Sequence, residues 1–112
     1  MEQLVAEKAL DEDCKLCPKF TRTFMILGKK WNGLIIEVLL KNGNMRFKDI
    51  ASSIAKCSDR VLCERLKELE DEQIVIRNTY EGSSQVDYSL TERGQELRPV
   101  MEAVHTWSDK WI

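Results

Sequence analysis

Four cysteines are the residues with the most scope for chemistry in this 112-residue sequence. Cys14 and Cys17 stand in "DCKLCPKF", two residues apart and directly before Pro18. A C-x-x-C pair is compatible with half of a metal site, with a structural disulfide or with a reactive thiol. The rest of the sequence must decide between these three interpretations.

A zinc site would need four ligands, and the sequence offers few. Besides the N-terminal pair, the candidates are Cys57, Cys63 and the only histidine, His105. Five residues separate Cys57 from Cys63, whereas zinc motifs favour roughly two to four. We therefore expect no metal and no other cofactor, and we interpret Cys63 as a small, half-buried packing residue.

The expected compartment argues against a structural disulfide. The first residues are acidic and show no signal-peptide pattern, and Glu37 interrupts the longest apolar run, "GLIIEVLL". These features predict a cytoplasmic protein with no membrane contact. Cytoplasmic thiols are kept reduced.

Cys17 has a distinctive predicted position. Pro18 suits the first turn of a helix, which would make Cys17 the capping residue. The unpaired N–H groups and the positive end of the helix dipole there favour a thiolate, and Lys15 and Lys19 add to the effect, although the acidic residues before Cys14 oppose it. The alternative is an inert capping thiol.

The elements that must position these residues are mostly helices. The first predicted helix, "PKFTRTFMIL", ends at Gly28, and the second, "KKWNGLIIEVLLKNG", carries an apolar face with Trp31 as a core anchor. That face comprises Trp31, Leu34, Ile35, Val38 and Leu39. A short extended "MRF" precedes a brief helix, "KDIASSIA", and Ser58 caps a fourth, "DRVLCERLKELEDE".

The periodicity changes after Gln73. "IVIRNTY" and "QVDYSL" indicate a β-hairpin around "EGSS", and Thr91 is expected to cap one last helix that runs to the C-terminus. The predicted fold class is α+β and mostly helical, a winged helix-turn-helix with flanking dimerisation helices. We predict one DNA-binding domain over residues 1–112. It comprises an N-terminal extension (1–16), the helix-turn-helix (47–72), the wing hairpin (73–90) and the dimerisation helix (91–112).

Charge is distributed unevenly, although the net charge is only −2. Residues 1–13 carry a balance of −4, residues 14–77 carry thirteen basic and eight acidic side chains, a balance of +5, and residues 78–112 carry −3. The middle of the chain is therefore where a polyanion would bind.

Ile50 and Ile54 on one helix, and the leucines of the helix after Ser58, would bury the two helices of the motif against each other. The opposite face presents Arg60, which can read a guanine edge, while Ser58 lies near a phosphate. The predicted DNA-binding residues are Arg46, Lys48, Ser58, Asp59, Arg60, Glu64 and Lys67.

Apolar residues recur at spacings of three and four along the last helix. Pro99 is expected to kink this helix. A small domain cannot cover the whole seam, so we expect a two-fold interface made by this helix and the segment before Cys17. The seam comprises Leu97, Val100, Val104, Trp107 and Trp111.

Several stretches resemble the HxlR family of bacterial transcription regulators, which are relatives of the MarR type. They are "CPKFTRTFMILGKKWNGLIIEVLL", "MRFKDIA", "LCERLKELEDEQIVIR" and "VDYSLTERGQELRPVMEAV", and the likeness covers about residues 17–111. The resemblance implies a homodimer on a palindromic double-stranded operator, with the helix from Ser58 in the major groove.

The resemblance also bears on the thiols, because several family members sense electrophiles or oxidants through the cysteine at position 17. It favours Cys17 as a redox-sensing residue, with Cys14 or Cys57 of the other subunit as a disulfide partner. Two departures from the family pattern are the acidic extension and Gln85, which stands where the wing often carries a basic residue. Wing contact with the minor groove is not expected here.

An enzyme is not expected, because the sequence has no phosphate-binding glycine loop and no H-E-x-x-H motif. The expected function is a homodimeric repressor that answers to a small electrophile or oxidant. The alternative is a winged-helix regulator, or a protein-interaction domain, without thiol control.

Overall fold

The computed structural model describes residues 17–112, which form six helices and a two-stranded sheet. In chain order these are α1 Pro18–Leu27, α2 Asn32–Asn42, α3 Phe47–Ser53, α4 Asp59–Asp71, β1 Val75–Thr79, β2 Val86–Leu90, α5 Glu92–Gln95 and α6 Arg98–Trp111. The chain divides between Lys30 and Trp31 into two units, and the second holds every element after α1. No helix among the described residues is long and apolar enough to cross a membrane.

Helix α1 begins as the sequence predicts. Pro18 lies in its first turn, and the Cys17 carbonyl accepts hydrogen bonds from the Phe20 and Thr21 N–H groups at 3.0 and 3.3 Å. The helix ends at Gly28, whose N–H donates to the Phe24 carbonyl. None of its side chains is buried.

Helix α2 begins later than predicted. Trp31 has a left-handed backbone (φ 82°), so regular helix starts only at Asn32. The buried residues are therefore Asn32, Ile35, Ile36 and Leu39, which follow the i, i+3, i+4, i+7 pattern from the new start. Leu34 is 52% exposed and Trp31 is only half-buried, so the predicted apolar face and core anchor were wrong in these two residues.

The helix-turn-helix forms between α3 and α4. Ile50 and Ile54 are buried, as is the inner face of α4, which comprises Leu62, Leu66 and Leu69. The Ser58 hydroxyl accepts a hydrogen bond from the Val61 N–H at 3.2 Å and caps α4 as predicted. Both helices contact α2, so their buried faces contribute to one shared core.

The wing is the antiparallel pair of β1 and β2, in register from Val75 opposite Leu90 to Thr79 opposite Val86. Met45 bridges to Tyr88 through two backbone hydrogen bonds of 2.9 and 2.8 Å and extends the sheet by one residue. The hairpin predicted around "EGSS" is thus confirmed.

A buried carboxylate holds the wing together, although no pattern in the sequence predicts it. Asp87 accepts hydrogen bonds from the Asn78 side chain at 2.8 Å, from the Tyr80 hydroxyl at 2.8 Å and from the Asn44 side chain at 3.3 Å. The bond from Asn78, followed by that from Tyr80, lowers the pKa of Asp87 below its ordinary value. The carboxylate therefore joins both strands to the turn before α3.

A tight joint links the end of α4 to the end of the wing. The Thr91 hydroxyl donates to the Gln73 carbonyl at 2.6 Å and accepts from the Gly94 N–H at 2.9 Å. Gln73 has a left-handed backbone (φ 62°), and Gly94 is buried against the Ile74 carbonyl. The chain thus turns sharply at both ends of the hairpin.

The single last helix predicted from Thr91 is in fact two helices. Thr91 caps the four-residue α5, a turn follows, and Pro99 lies in the first turn of α6. Proline is tolerated there because the first N–H groups of a helix have no intrahelical partner. Pro99 therefore marks a helix start rather than the expected kink.

Gly94→Ala should destabilise the protein by about 1 to 3 kcal/mol, because the new Cβ would meet the Ile74 carbonyl and the Leu90 side chain. Gly33→Ala is the matched control in α2. Its Cβ would lie 4.0 Å from the Met101 side chain, an ordinary contact, so this change should be neutral or stabilising by up to about 1 kcal/mol. Urea unfolding measures both, and equal effects would contradict the tight joint.

Candidate nucleic-acid interface

The outer face of α4 is open to solvent, opposite the buried leucines. It borders a shallow depression of about 510 Å³ whose other wall begins at the start of α3. The lining residues are Phe47, Asp59, Arg60, Cys63, Glu64 and Lys67. In helix-turn-helix proteins, the exposed face of the second helix is the surface that enters the major groove.

Arg60 is the most prominent cation of this face. Its side chain is 83% exposed, and its Nη1 lies 3.6 Å from Oε2 of Glu64, one helical turn on. Such an exposed pair contributes little to stability. The guanidinium is therefore oriented by Glu64 yet accessible to another acceptor.

The structure exposes all seven predicted DNA-binding residues, and four of them line the depression. Asp59, Arg60, Glu64 and Lys67 line the depression. Arg46 and Lys48 lie at the start of α3, and Ser58 is occupied as the cap of α4. The seven residues are Arg46, Lys48, Ser58, Asp59, Arg60, Glu64 and Lys67, and each is exposed.

Two lining residues, Phe47 and Cys63, were missed by the sequence reading. The interpretation of Cys63 as half-buried was wrong, since the residue is exposed. Cys63 lies about 60° from Arg60 around the helix axis, which places it on the border of the apolar face. Its spacing of three from Arg60 and four from Lys67 was the available signal.

The described thiols differ in access. Cys17 is exposed at the cap of α1, but its side chain makes no capping hydrogen bond. Cys57 is buried in the turn before α4, with its sulfur 3.6 Å from the Ser58 carbonyl. Cys14 lies outside the described residues. Within residues 17–112, no three His, Cys, Asp or Glu side chains are grouped to hold a metal ion.

One face of α6 is attached to α2. The Arg98 guanidinium donates to the Leu40 carbonyl at 3.2 Å, and His105 Nε2 lies 2.6 Å from Oε2 of Glu37. Met101 lies between Arg98 and His105 in the sequence. It is half-buried, and its side chain faces Gly33 of α2. These contacts fix which side of the helix faces outward.

The outward face of α6 carries most of the predicted dimer seam. Trp107 and Trp111 are 59% and 65% exposed, and no residue of the helix is buried. Val100 and Val104 are exposed beside them, while Leu97 is half-buried and precedes the helix as its N-terminal flanking residue. An apolar patch of this kind on a small domain is typical of an interaction surface.

The fold and this surface define the class. A helix-turn-helix followed by a wing, with an exposed charged outer face on the second helix, is the architecture of a DNA-binding regulator. The family model of the HxlR-like helix-turn-helix matches residues 26–112 of the sequence. The chain therefore belongs to that family. The protein is a transcriptional regulator and not an enzyme, as the sequence predicted.

Two relatives are well matched. The HTH-type transcriptional regulator YodB of Bacillus subtilis is 45% identical over 97 residues, which cover 86% of each chain. Its reduced form superposes with a TM-score of 0.78 at 44% identity, covering 86% of this chain and 94% of that one. A quinone-bound form of YodB superposes with a TM-score of 0.76 at 45% identity, covering 86% and 100%. The redox regulator HypR in its reduced form superposes at 0.76 with 30% identity, covering 82% and 91%.

The His105–Glu37 pair predicts a pH dependence. The hydrogen bond to Glu37, then the charges of Glu37 and Asp109, raise the pKa of His105 above its ordinary value, and partial desolvation opposes this. A raised folded-state pKa gives stability that is fully present below the unfolded pKa of about 6.5 and is lost as pH rises through the folded pKa.

Urea unfolding between about pH 5.5 and about pH 8.5 should therefore show a fall in stability that His105→Gln abolishes. Glu37→Gln should abolish it as well, because it removes the partner. A pH profile of His105→Gln that matches wild type would contradict the pairing.

Proposed function

We propose that the protein is a homodimeric repressor in the bacterial cytoplasm that binds a palindromic DNA operator and answers to oxidants or electrophiles through Cys17. The observation that carries the proposal is the open outer face of α4. Arg60, Glu64 and Lys67 lie there on one side of a helix whose other side is locked into the core. The exposed apolar face of α6 and the accessible thiol at the cap of α1 support the further parts.

Arg60 is the proposed base-reading residue. Its guanidinium is largely exposed and lies one turn into a capped helix, and a bidentate contact to a guanine edge needs this planar fork. The proposed role of the remaining cations is to neutralise phosphates. They are Lys67 on α4, and Arg46 and Lys48 at the start of α3. Asp59 and Glu64 are proposed to discriminate between bases. A carboxylate repels the DNA phosphates but can accept a hydrogen bond from the amino group of cytosine.

The wing has a minor role in the proposal. Its connection, Tyr80 to Gln85, contains Glu81 and no basic residue. Without a cation, the tip lacks the attraction that a narrow minor groove exerts on arginine or lysine.

Arg60→Ala should weaken operator binding by about 1 to 3 kcal/mol and relax specificity at one base pair of each half-site. Lys67→Ala is the matched control on the same face. It should weaken all DNA sequences alike and flatten the salt dependence of binding, because it removes one phosphate contact. Titrations of operator and scrambled DNA at several salt concentrations distinguish the two. Arg60→Ala with wild-type specificity would place the reading face elsewhere.

Dimerisation through α6 is proposed from its exposed face. Val104, Trp107 and Trp111 lie on the side of the helix away from the contacts with α2. A second copy related by two-fold symmetry would cover the same face on both subunits. Two α4 helices then meet half-sites about 34 Å apart, which one subunit alone cannot bind tightly.

Val104→Glu with Trp107→Glu should yield folded monomers that lose operator binding, because the charges disrupt the proposed interface without touching the core. Sedimentation measures the mass, and circular dichroism checks the fold. Glu102→Lys, an exposed change on the same helix, is the control and should remain dimeric. A dimer that survives the double change would disprove this interface.

Thiol control is proposed from the access of Cys17 and from the relatives. Cys17 is exposed at the start of α1, where a thiolate can add to a quinone or attack a disulfide. YodB has been solved in quinone-bound and diamide-treated forms, and HypR in reduced and oxidised forms. Cys14 and Cys57 of the partner subunit are the proposed disulfide partners, and Cys57 must first leave its buried position.

Diamide or benzoquinone should release wild-type protein from operator DNA and leave Cys17→Ser bound. Cys63→Ser is the matched control, because it also removes an exposed thiol and should still respond to the reagent. Cys14→Ser separates an adduct from an intrachain disulfide. Should Cys17→Ser release DNA as readily as wild type, the second candidate applies, a regulator without control by this thiol. That candidate is favoured by the missing side-chain cap at Cys17.

A further inference from the structure

The depression beside α4 has an apolar floor within a charged rim. Cys63, an exposed thiol on the border between the outer and the apolar faces of α4, and the half-buried Phe47 both line this depression. The charged groups around them belong to Asp59, Arg60, Glu64 and Lys67. A cysteine behaves as a small apolar residue in contacts. Cys63 and Phe47, which form the floor, are therefore suited to apolar contacts, whereas the charged side chains of the rim are suited to hydrogen bonds.

The chemistry of a major groove suggests what such a floor accepts. Base edges there present donors and acceptors to charged and amide side chains, and the one apolar group is the C5-methyl of thymine. Phosphates are not suited to this floor, since two carboxylates border it and no polar group of the floor would bind them. The small apolar patch between Arg60 and Lys67 therefore complements the C5-methyl of a thymine. That thymine would lie near the guanine whose acceptors Arg60 reads.

We propose that Cys63, with Phe47 beside it, is a specificity-determining residue that contacts the C5-methyl of one thymine in each operator half-site. The inference rests on the proposed function and names a second base that the same helix reads. Cys63 follows Arg60 by three residues, a rise of about 4.5 Å along the helix, against about 3.4 Å for each base pair. The thymine therefore lies within about one or two base pairs of the guanine read by Arg60.

The test begins with selection of binding sites by the full-length wild-type protein from a random double-stranded DNA library. Each thymine of a selected half-site is then replaced by uracil, which removes only the methyl group, and affinity is measured by fluorescence anisotropy at one fixed salt concentration. At one position per half-site, wild type should bind about fourfold more weakly, the factor expected for the burial of one methyl-sized group. Substitution in both half-sites should give roughly fifteenfold.

Cys63→Ser keeps the size of the side chain but makes it polar. This variant should bind the thymine operator roughly fifteenfold more weakly than wild type, because both subunits carry the change, and it should no longer distinguish thymine from uracil. Phe47→Leu is a second variant and should reduce the same discrimination. Cys17→Ser is the control and should retain the full methyl effect, because Cys17 belongs to the other unit of the chain and is not a lining residue.

A further arm identifies the source of the methyl group. With a C·G pair at the sensitive position, 5-methylcytosine should bind more tightly than cytosine to wild type and equally to Cys63→Ser, since both bases differ only at C5. Wild-type insensitivity to uracil at every thymine, or an undiminished effect in Cys63→Ser, would overturn the inference while operator binding stands. Failure to select any site would overturn the proposed function itself.

Discussion

One hydroxyl group, that of Thr91, holds the ends of four elements together. It connects the residue after α4 to the first turn of α5, while the Thr91 N–H pairs with the Ile74 carbonyl at 2.9 Å. Backbone groups at this partly buried crossing need hydrogen-bond partners, and Thr91 supplies them. Because Gly94 leaves no room for a side chain between the two chain segments, the backbone between α4 and α6 has little freedom. The position of the exposed apolar helix relative to α4 follows from this joint.

Two exposed helix faces of the second unit differ in their surface chemistry. The fold is stabilised by core residues of α2, α3 and α4, which are almost fully buried. The exposed residues of the two faces are not part of this core. The outer side of α4 is charged, and the outer side of α6 is apolar. Surface residues freed from packing can specialise, whereas a change in the shared core would move both faces at once. The wing depends instead on a polar lock, the Asp87 carboxylate with its three donors.

Local signals in the sequence predicted much of this arrangement. Ser58 as a cap, the buried isoleucines and leucines of the motif and the hairpin around Gly82 follow from short-range patterns, and the structure confirms them. The errors arose where longer-range packing decides. Trp31 has a left-handed backbone that its residue type does not predict. α5 ends at Gln95, and α6 begins at Arg98 with Pro99 in its first turn. The Asp87 network joins residues more than forty positions apart, and periodicity carries no information about such pairs. Within the site, Cys63 lies on the border between two faces, where small differences in packing decide exposure.

The burial of Cys57 has a consequence for reaction rates. A thiol enclosed in the turn before α4 reacts only while that turn is open, so its oxidation is proportional to the open fraction. Each additional ~1.4 kcal/mol of opening free energy slows the reaction tenfold, whatever the intrinsic reactivity of the sulfur. Cys17, already in solvent, has no such gate. At equal intrinsic reactivity, Cys57 would therefore react more slowly than Cys17 by the factor that the opening equilibrium of the turn sets.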